Sequence, residues 1–120
     1  MRLRERVAAV VFALTIGLGL TGNAVAQGLT IDEYRHPNSD AELSFNRGYL
    51  TGVKDGLTAY NMAANDKLFC LTGDVPVLSF EQANGLLMGW ARKRGSGIGG
   101  TFVDQALVTA LRERYPCPAK

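Results

Sequence analysis

Few residues in this sequence could do chemistry: one histidine, two cysteines, a short basic run and a glycine-rich segment. His36 precedes Pro37 and stands far along the chain from Cys70 and Cys117, which disfavours a thiol activated by an imidazole base. Neither H-x-x-x-H nor C-x-x-C is present, so we predict no metal site and no cofactor. No G-x-S-x-G nucleophile motif occurs, and no carboxylate spacing indicates acid–base catalysis, so we predict no catalytic residue and no enzyme activity.

The glycine-rich segment at residues 95–100 matches G-x-G-x-x-G, but a dinucleotide motif needs a preceding strand, and a helical pattern precedes it here. One interpretation is a solvated helix end followed by a linker. The other is a flexible, exposed loop that binds a partner together with the basic run before it. On that second interpretation the candidate partner-binding residues are Arg92, Lys93, Arg94, Ser96 and Ile98.

Residues 1–26 have the pattern of an export signal. Three arginines lie among the first six residues, an apolar stretch of 14 residues fills positions 7–20, and an A-x-A cleavage pattern ends at Ala26. The stretch is shorter than the roughly 20 residues of a membrane-spanning helix. We therefore predict a cleaved signal peptide and a mature chain that begins at Gln27, with no membrane association after cleavage.

The predicted mature chain has 94 residues, with ten basic and ten acidic side chains. A nucleic-acid-binding protein normally carries a basic surplus, so we exclude that class. A chain of this length forms one domain and benefits from a cross-link. Because export leads to an oxidising compartment, we predict a Cys70–Cys117 disulfide.

Helical periodicity predicts an all-α fold with three main helices, which occupy residues 39–120. Residues 27–38 before them are predicted to form an extended arm, which could include a short fourth helix at Ile31. Ser39 and Glu42 form a capping-box pattern at the start of the first helix, predicted over residues 39–61. Its apolar stripe comprises Leu43, Leu50, Val53, Leu57 and Tyr60, and its polar face comprises Arg47, Thr51, Lys54 and Thr58.

Glycines recur every fourth residue in that first helix, at Gly48, Gly52 and Gly56. Each glycine weakens a helix interior by about 0.5–1 kcal/mol relative to alanine. We therefore predict that another helix, or the second subunit of a homodimer, packs closely against this strip. A locally weak helix is the alternative.

The second helix is predicted to begin with the capping box of Ser79 and Gln82, and the third helix with Thr101 as N-cap. Apolar residues recur at helical spacing in both. They are Ala83, Leu86, Leu87, Trp90 and Ala91 in the second helix, and Val103, Ala106, Leu107, Ala110 and Leu111 in the third.

Several short elements occur in order along residues 42–117: Gly48-Tyr49-Leu50-Thr51-Gly52, Phe69-Cys70, Gln82, Trp90, Ala110-Leu111 and Tyr115-Pro116-Cys117. In this order and spacing they resemble the Rap/Tai immunity-protein family. The resemblance implies a periplasmic, disulfide-linked helical dimer, similar in architecture to HdeA-type chaperones. It also implies a function: binding and blocking a peptidoglycan amidase delivered by type VI secretion. The chain departs from the family pattern after the second helix, where glycines replace a frequent proline.

These observations leave three candidate functions. The first is an immunity-like module that inhibits an enzyme by binding it. The second is a periplasmic stress chaperone of HdeA type, although one histidine and a balanced charge offer no evident pH switch. The third is an enzyme with a carboxylate pair that the sequence pattern does not reveal.

Overall fold

The computed structural model describes residues 28–73 and 77–119; the predicted signal peptide and the mature start at Gln27 lie outside these ranges. The described residues form four α-helices: α1 (Ile31–Arg35), α2 (Asp40–Ala63), α3 (Phe80–Arg94) and α4 (Val103–Arg114). A 3-10 turn, Ser96–Ile98, lies between α3 and α4. The predicted all-α fold is confirmed, and in these ranges no helix is long and apolar enough to cross a membrane.

The short helix α1 belongs to the core rather than to a peripheral arm. Thr30 and Glu33 form a capping box at its start, and Ile31 is fully buried. The Ile31 amide donates to the Thr101 carbonyl (2.9 Å), and the Val103 amide donates to the Leu29 carbonyl (2.8 Å). These bonds attach the segment before α1 to the segment before α4, although the two lie about 70 residues apart.

Helix α2 begins at the predicted N-cap, where the Glu42 amide donates to Ser39 Oγ (3.1 Å). The capping box is only half formed, because the Glu42 carboxylate accepts from the Asn38 amide instead of from Ser39. The assignment of Lys54 to the polar face is wrong. Lys54 follows the fully buried Leu50 by one helical turn, so its stem is buried while its amine reaches Asp55 Oδ1 (2.6 Å).

Helices α3 and α4 pack against each other and supply much of the core. The capping box at Ser79 and Gln82 is confirmed. The predicted N-cap of α4 is wrong: Phe102 holds that position without a side-chain hydrogen bond, because the backbone of Thr101 pairs with Ile98 and Ile31. The residues that line the α3–α4 core include Ala83, Leu87, Ala91, Val103, Ala106, Leu107 and Leu111.

The Cys70–Cys117 disulfide is present, with 4.9 Å between the two Cα atoms. It joins the segment after α2 to the segment after α4, and the Cys70 amide donates to the Tyr115 carbonyl beside it (2.8 Å). Asn61 fixes the same segment to the last turns of α2: its Nδ2 donates to the Phe69 carbonyl, and its Oδ1 accepts from the Leu68 amide, both at 2.8 Å. Phe69 can therefore enter the core, where it is 1% exposed.

Candidate partner-binding surfaces

The basic run at the end of α3 is exposed, as expected of a partner-binding segment. Its three cations are not equivalent. The Arg94 guanidinium pairs with the Glu113 carboxylate of α4 and lies 5.1 Å from the centre of the Trp90 ring. Arg92 and Lys93 form no ion pair with a described residue, so they are the two charges of this run that a partner could use.

The segment at residues 95–100, suggested by the sequence to be a flexible loop, is a structured connection. Ser96 is exposed, whereas Ile98 is half-buried and packs against the core. Gly99 is buried beside α1: its carbonyl accepts from the Asp32 amide (3.1 Å), and a Cβ added to it would lie 2.0 Å from Asp32 Oδ2. Of the five predicted binding residues, Arg92, Lys93 and Ser96 are therefore exposed, and the two cations among them form no ion pair with a described residue.

The glycine strip of α2 faces solvent. A Cβ added at Gly48, Gly52 or Gly56 meets no described atom within 4 Å. The prediction that another helix of the same chain packs closely on this strip is therefore wrong for the described residues. The physical reason is that Leu50, on the opposite side of α2, is the side chain that enters the core. Packing of a second subunit against the strip stays a prediction.

An aromatic patch, formed by Phe45, Tyr49 and Phe102, lies where the start of α2 meets the segments before α1 and α4. The Phe45 and Tyr49 ring centres are 6.2 Å apart. Gly28 lies between Tyr49 and Phe102: a Cβ added to it would be 3.4 Å from the Tyr49 hydroxyl and 3.3 Å from the Phe102 ring. Phe45 is 62% exposed and Phe102 is 40% exposed. Helical spacing places Phe45 and Tyr49 side by side on α2, whereas no sequence periodicity connects them to Phe102.

A second feature absent from the sequence pattern is a cleft of about 540 Å³ between the end of α1, the first half of α2 and one face of α3. The Arg47 guanidinium lies 4.6 Å from the centre of the Phe80 ring, so a cation–π contact joins α2 to the start of α3 at the cleft. We call it the Arg47 cleft. It is lined by Tyr34, Arg35, His36, Pro37, Leu43, Asn46, Arg47, Phe80, Asn84 and Met88.

Hydrogen bonds fix the polar groups of the Arg47 cleft. The Tyr34 hydroxyl donates to Asn84 Oδ1 (2.6 Å), which links α1 to α3. Asn46 is 4% exposed, and its Nδ2 donates to the Glu33 and Tyr34 carbonyls (3.1 and 3.2 Å). Burial raises the pKa of Tyr34 above its ordinary value, and the nearby Arg47 guanidinium partly opposes that shift. Tyr34 is therefore a neutral hydrogen-bond donor at neutral pH.

Within residues 28–73 and 77–119, no three histidine, cysteine or acidic side chains gather in a way that could hold a metal ion. Trp90 is the one described residue with a buried side-chain polar atom that lacks a hydrogen-bond partner, its Nε1. Neither the basic run nor the Arg47 cleft places a nucleophile beside a general base. What both surfaces offer is donors, cations and apolar side chains, which suit binding.

Comparisons of the chain with protein-family models, with curated proteins and with solved structures found no match.

Proposed function

We propose that this chain is an exported protein-binding module that acts by occupying and blocking another protein. The observation that carries this proposal is the aromatic patch. Phe45 is 62% exposed and lies beside Tyr49, and the Tyr49 hydroxyl and the Phe102 ring both lie next to Gly28, on a small chain that already has a buried core. Burial of one aromatic side chain of this kind stabilises a complex by about 1.5–3 kcal/mol, and aromatic residues are enriched at the centres of protein interfaces.

The aromatic patch is also folded before a partner binds, so binding does not require the patch to fold. The backbone bonds between the segments before α1 and α4, together with the Leu29 amide that donates to the Tyr49 hydroxyl (3.4 Å), hold the patch in place before a partner arrives. A preorganised surface loses less conformational entropy on binding than a flexible one. Arg92 and Lys93, exposed at the end of α3, would add electrostatic steering toward an acidic partner.

The finer proposal is immunity: inhibition of a peptidoglycan amidase in the periplasm by the chain acting as a homodimer, as its family resemblance implies. Its support is that resemblance together with the disulfide, which fits an oxidising compartment. In this function the chain performs no turnover. It covers the amidase active site or the surface that its cell-wall substrate needs.

An inhibition assay tests the finer proposal. Purified residues 27–120 are titrated into the peptidoglycan amidase encoded beside this chain's gene, and cell-wall hydrolysis is followed. We expect activity to fall to background at about equimolar inhibitor. Undiminished hydrolysis in the presence of excess chain, or the absence of any such amidase gene, would contradict the immunity proposal.

The aromatic patch is tested in the same assay by Phe45→Ser. We expect the concentration needed for half-inhibition to rise about tenfold or more, because a central aromatic contact is lost. Tyr60→Ser is the matched control, since Tyr60 is also an exposed aromatic residue of α2 (55%) but lies about four turns from Phe45. Equal effects of the two substitutions would exclude the patch as the contact surface.

A further inference from the structure

We propose that the Arg47 cleft binds an acidic segment of a partner protein, in which an Asp or Glu side chain lies next to a large apolar one. This inference rests on the proposed function and adds to it one contact surface that the binding module would use. The cleft is separate from the basic run at the end of α3 and from the glycine strip of α2. Its chemistry follows from its lining residues.

The cleft has cations and hydrogen-bond donors but no carboxylate among its lining residues. Arg35 is already paired with Asp32 (2.8 Å). Arg47 has no carboxylate of a described residue within ion-pair distance, and its stacking on Phe80 holds its planar fork in a defined orientation. A guanidinium held in this way can donate two parallel hydrogen bonds to a carboxylate.

A second polar group offers a further contact. Asn84 Oδ1 accepts from Tyr34, and no described residue accepts a hydrogen bond from the Asn84 Nδ2 donors. The Tyr34–Asn84 bond uses the amide oxygen, so both Nδ2 hydrogens are left for another acceptor. An oxygen acceptor suits both groups, and the charge of Arg47 favours an anionic one.

Four of the other lining residues of the cleft are apolar. Its walls are Leu43, Phe80, Met88 and Pro37. Methionine adapts to side chains of different shape, and Leu43 is 44% exposed, so it has surface left to bury. An acidic residue alone would leave these walls in water. A segment with a large apolar side chain beside the acidic one would cover them.

The form of the cleft favours a protein segment over a small molecule. Sites for small molecules bury most of the ligand surface. Here Arg35, His36, Leu43 and Arg47 are all exposed, so the cleft is an open trough at the surface. A chain segment can lie along such a trough while its flanking residues contact the surrounding surface.

Panning of a random peptide library displayed on phage, with immobilised residues 27–120 as bait, tests the proposal. We expect selected peptides to be enriched in Asp or Glu next to Leu, Ile, Met or an aromatic residue. Panning on Arg47→Gln should lose that enrichment, whereas panning on Arg112→Gln should keep it. Arg112 is an exposed arginine of α4 that does not line the cleft.

Affinities measured by fluorescence anisotropy with one selected peptide complete the test. We expect Arg47→Gln to weaken binding about tenfold or more, and Arg47→Lys to weaken it less, since the charge is kept but the planar fork is lost. Circular dichroism must show the same helicity in each variant. Peptides selected without acidic residues, equal enrichment on Arg47→Gln, or no enrichment would overturn the proposal.

Two further outcomes separate this proposal from its alternatives. Binding of benzoate or acetate can be followed through the Met88 methyl NMR signal. If either binds with a dissociation constant as low as that of the selected peptide, the cleft is a site for small carboxylates, and the peptide assignment is overturned. A partner that binds Arg47→Gln as well as the parent would exclude the cleft while leaving the proposed function in place.

Discussion

Tyr34 shows how one side chain can connect stability to pH. Its hydroxyl donates to Asn84, and burial raises its pKa above its ordinary value of 10.0. Above about pH 10 the unfolded chain releases this proton while the folded chain holds it. The stability contributed by the neutral Tyr34 is therefore fully present below pH 10 and is lost as the pH rises through the raised pKa.

Urea denaturation between pH 8 and pH 11 tests this prediction. We expect Tyr34→Phe to lower the free energy of unfolding at pH 8 by about 0.5–1.5 kcal/mol, since Asn84 loses its donor, and to flatten the decline above pH 10. Tyr60→Phe is the control, because Tyr60 is exposed (55%). Equal slopes in Tyr34→Phe and the parent would contradict the assigned role.

Polar residues within the helices were the hardest to predict from the sequence. Asn46 stood as a gap in the apolar stripe of α2, and Asn61 stood at the predicted end of that helix. Both amides bond to backbone groups of segments 7–13 residues away in sequence. Such partners are set by tertiary packing, so hydrophobic periodicity contains no signal for them.

At the scale of elements, Gly99 brings the connection between α3 and α4 against the Asp32 side chain of α1. Gly99→Ala would place a methyl group on the Asp32 carboxylate, the exposed end of a side chain that can rotate away from Arg35. We therefore expect a loss of at most about 1 kcal/mol of unfolding free energy, the value of an exposed ion pair. Gly97→Ala meets no described atom within 4 Å and serves as the control.

Thermal melts of Gly99→Ala, Gly97→Ala, Asp32→Ala and the double variant Gly99→Ala/Asp32→Ala provide the measurement. In the Asp32→Ala background, Gly99→Ala should cost no further stability, since the carboxylate that the new methyl group displaces is absent. If Gly99→Ala melts with Gly97→Ala, or costs as much in the Asp32→Ala background as in the parent, the close approach of Gly99 and Asp32 does not limit stability.

The glycine strip leads to a different expectation. Since a Cβ at Gly52 meets open space, Gly52→Ala should stabilise the single chain by about 0.5–1 kcal/mol through helix propensity. Gly52→Leu should also fold, because nothing described in the chain obstructs it. Denaturation at low protein concentration checks both variants, and a large destabilisation there would contradict the open space seen in the structure.

Analytical ultracentrifugation of the same variants tests the expected homodimer. If a second subunit packs closely on the strip, the parent should sediment as a dimer and Gly52→Leu as a monomer, because the leucine separates the two backbones. A parent that sediments as a monomer at high concentration would exclude this self-association.

The helices themselves were predictable because apolar spacing and caps agree. Ser39 and Ser79 were identified as N-caps, and every apolar position predicted for α4 is fully or nearly buried. The start of α4 was not predictable, since Thr101 has a suitable side chain but its backbone is used by Ile31 and Ile98. At the start of α4, backbone pairing between distant segments therefore outweighs the local preference of threonine for the N-cap.

At the scale of the whole molecule, the disulfide is the one covalent constraint. It closes a loop with a sequence separation of 47 residues, worth about 4 kcal/mol on the chain-entropy model. We expect Cys70→Ser/Cys117→Ser to lower the free energy of unfolding by about 2–4 kcal/mol. An unchanged denaturation midpoint would contradict the importance of the disulfide for stability. Two free thiols in the denatured parent would contradict its presence.

Binding surfaces were less predictable than the fold. The basic run was identified from its charges, but pairing of Arg94 with Glu113 and the structured Gly99 segment reduce what it can offer. The aromatic patch combines residues from α2 and the segment before α4, and the Arg47 cleft combines residues from the end of α1, α2 and α3. Phe45 and Phe80 have no feature in the sequence that predicts which neighbours they will contact, so these surfaces needed the structure.

The central claim is that this chain acts by binding a protein. Its most direct test is capture from an envelope extract on immobilised residues 27–120, followed by reconstitution of each captured protein with purified chain. We predict at least one stoichiometric complex with a dissociation constant below about 1 µM, equivalent to about 8 kcal/mol. The absence of any reconstituted complex, together with turnover of a cell-wall substrate by the purified chain itself, would contradict the claim.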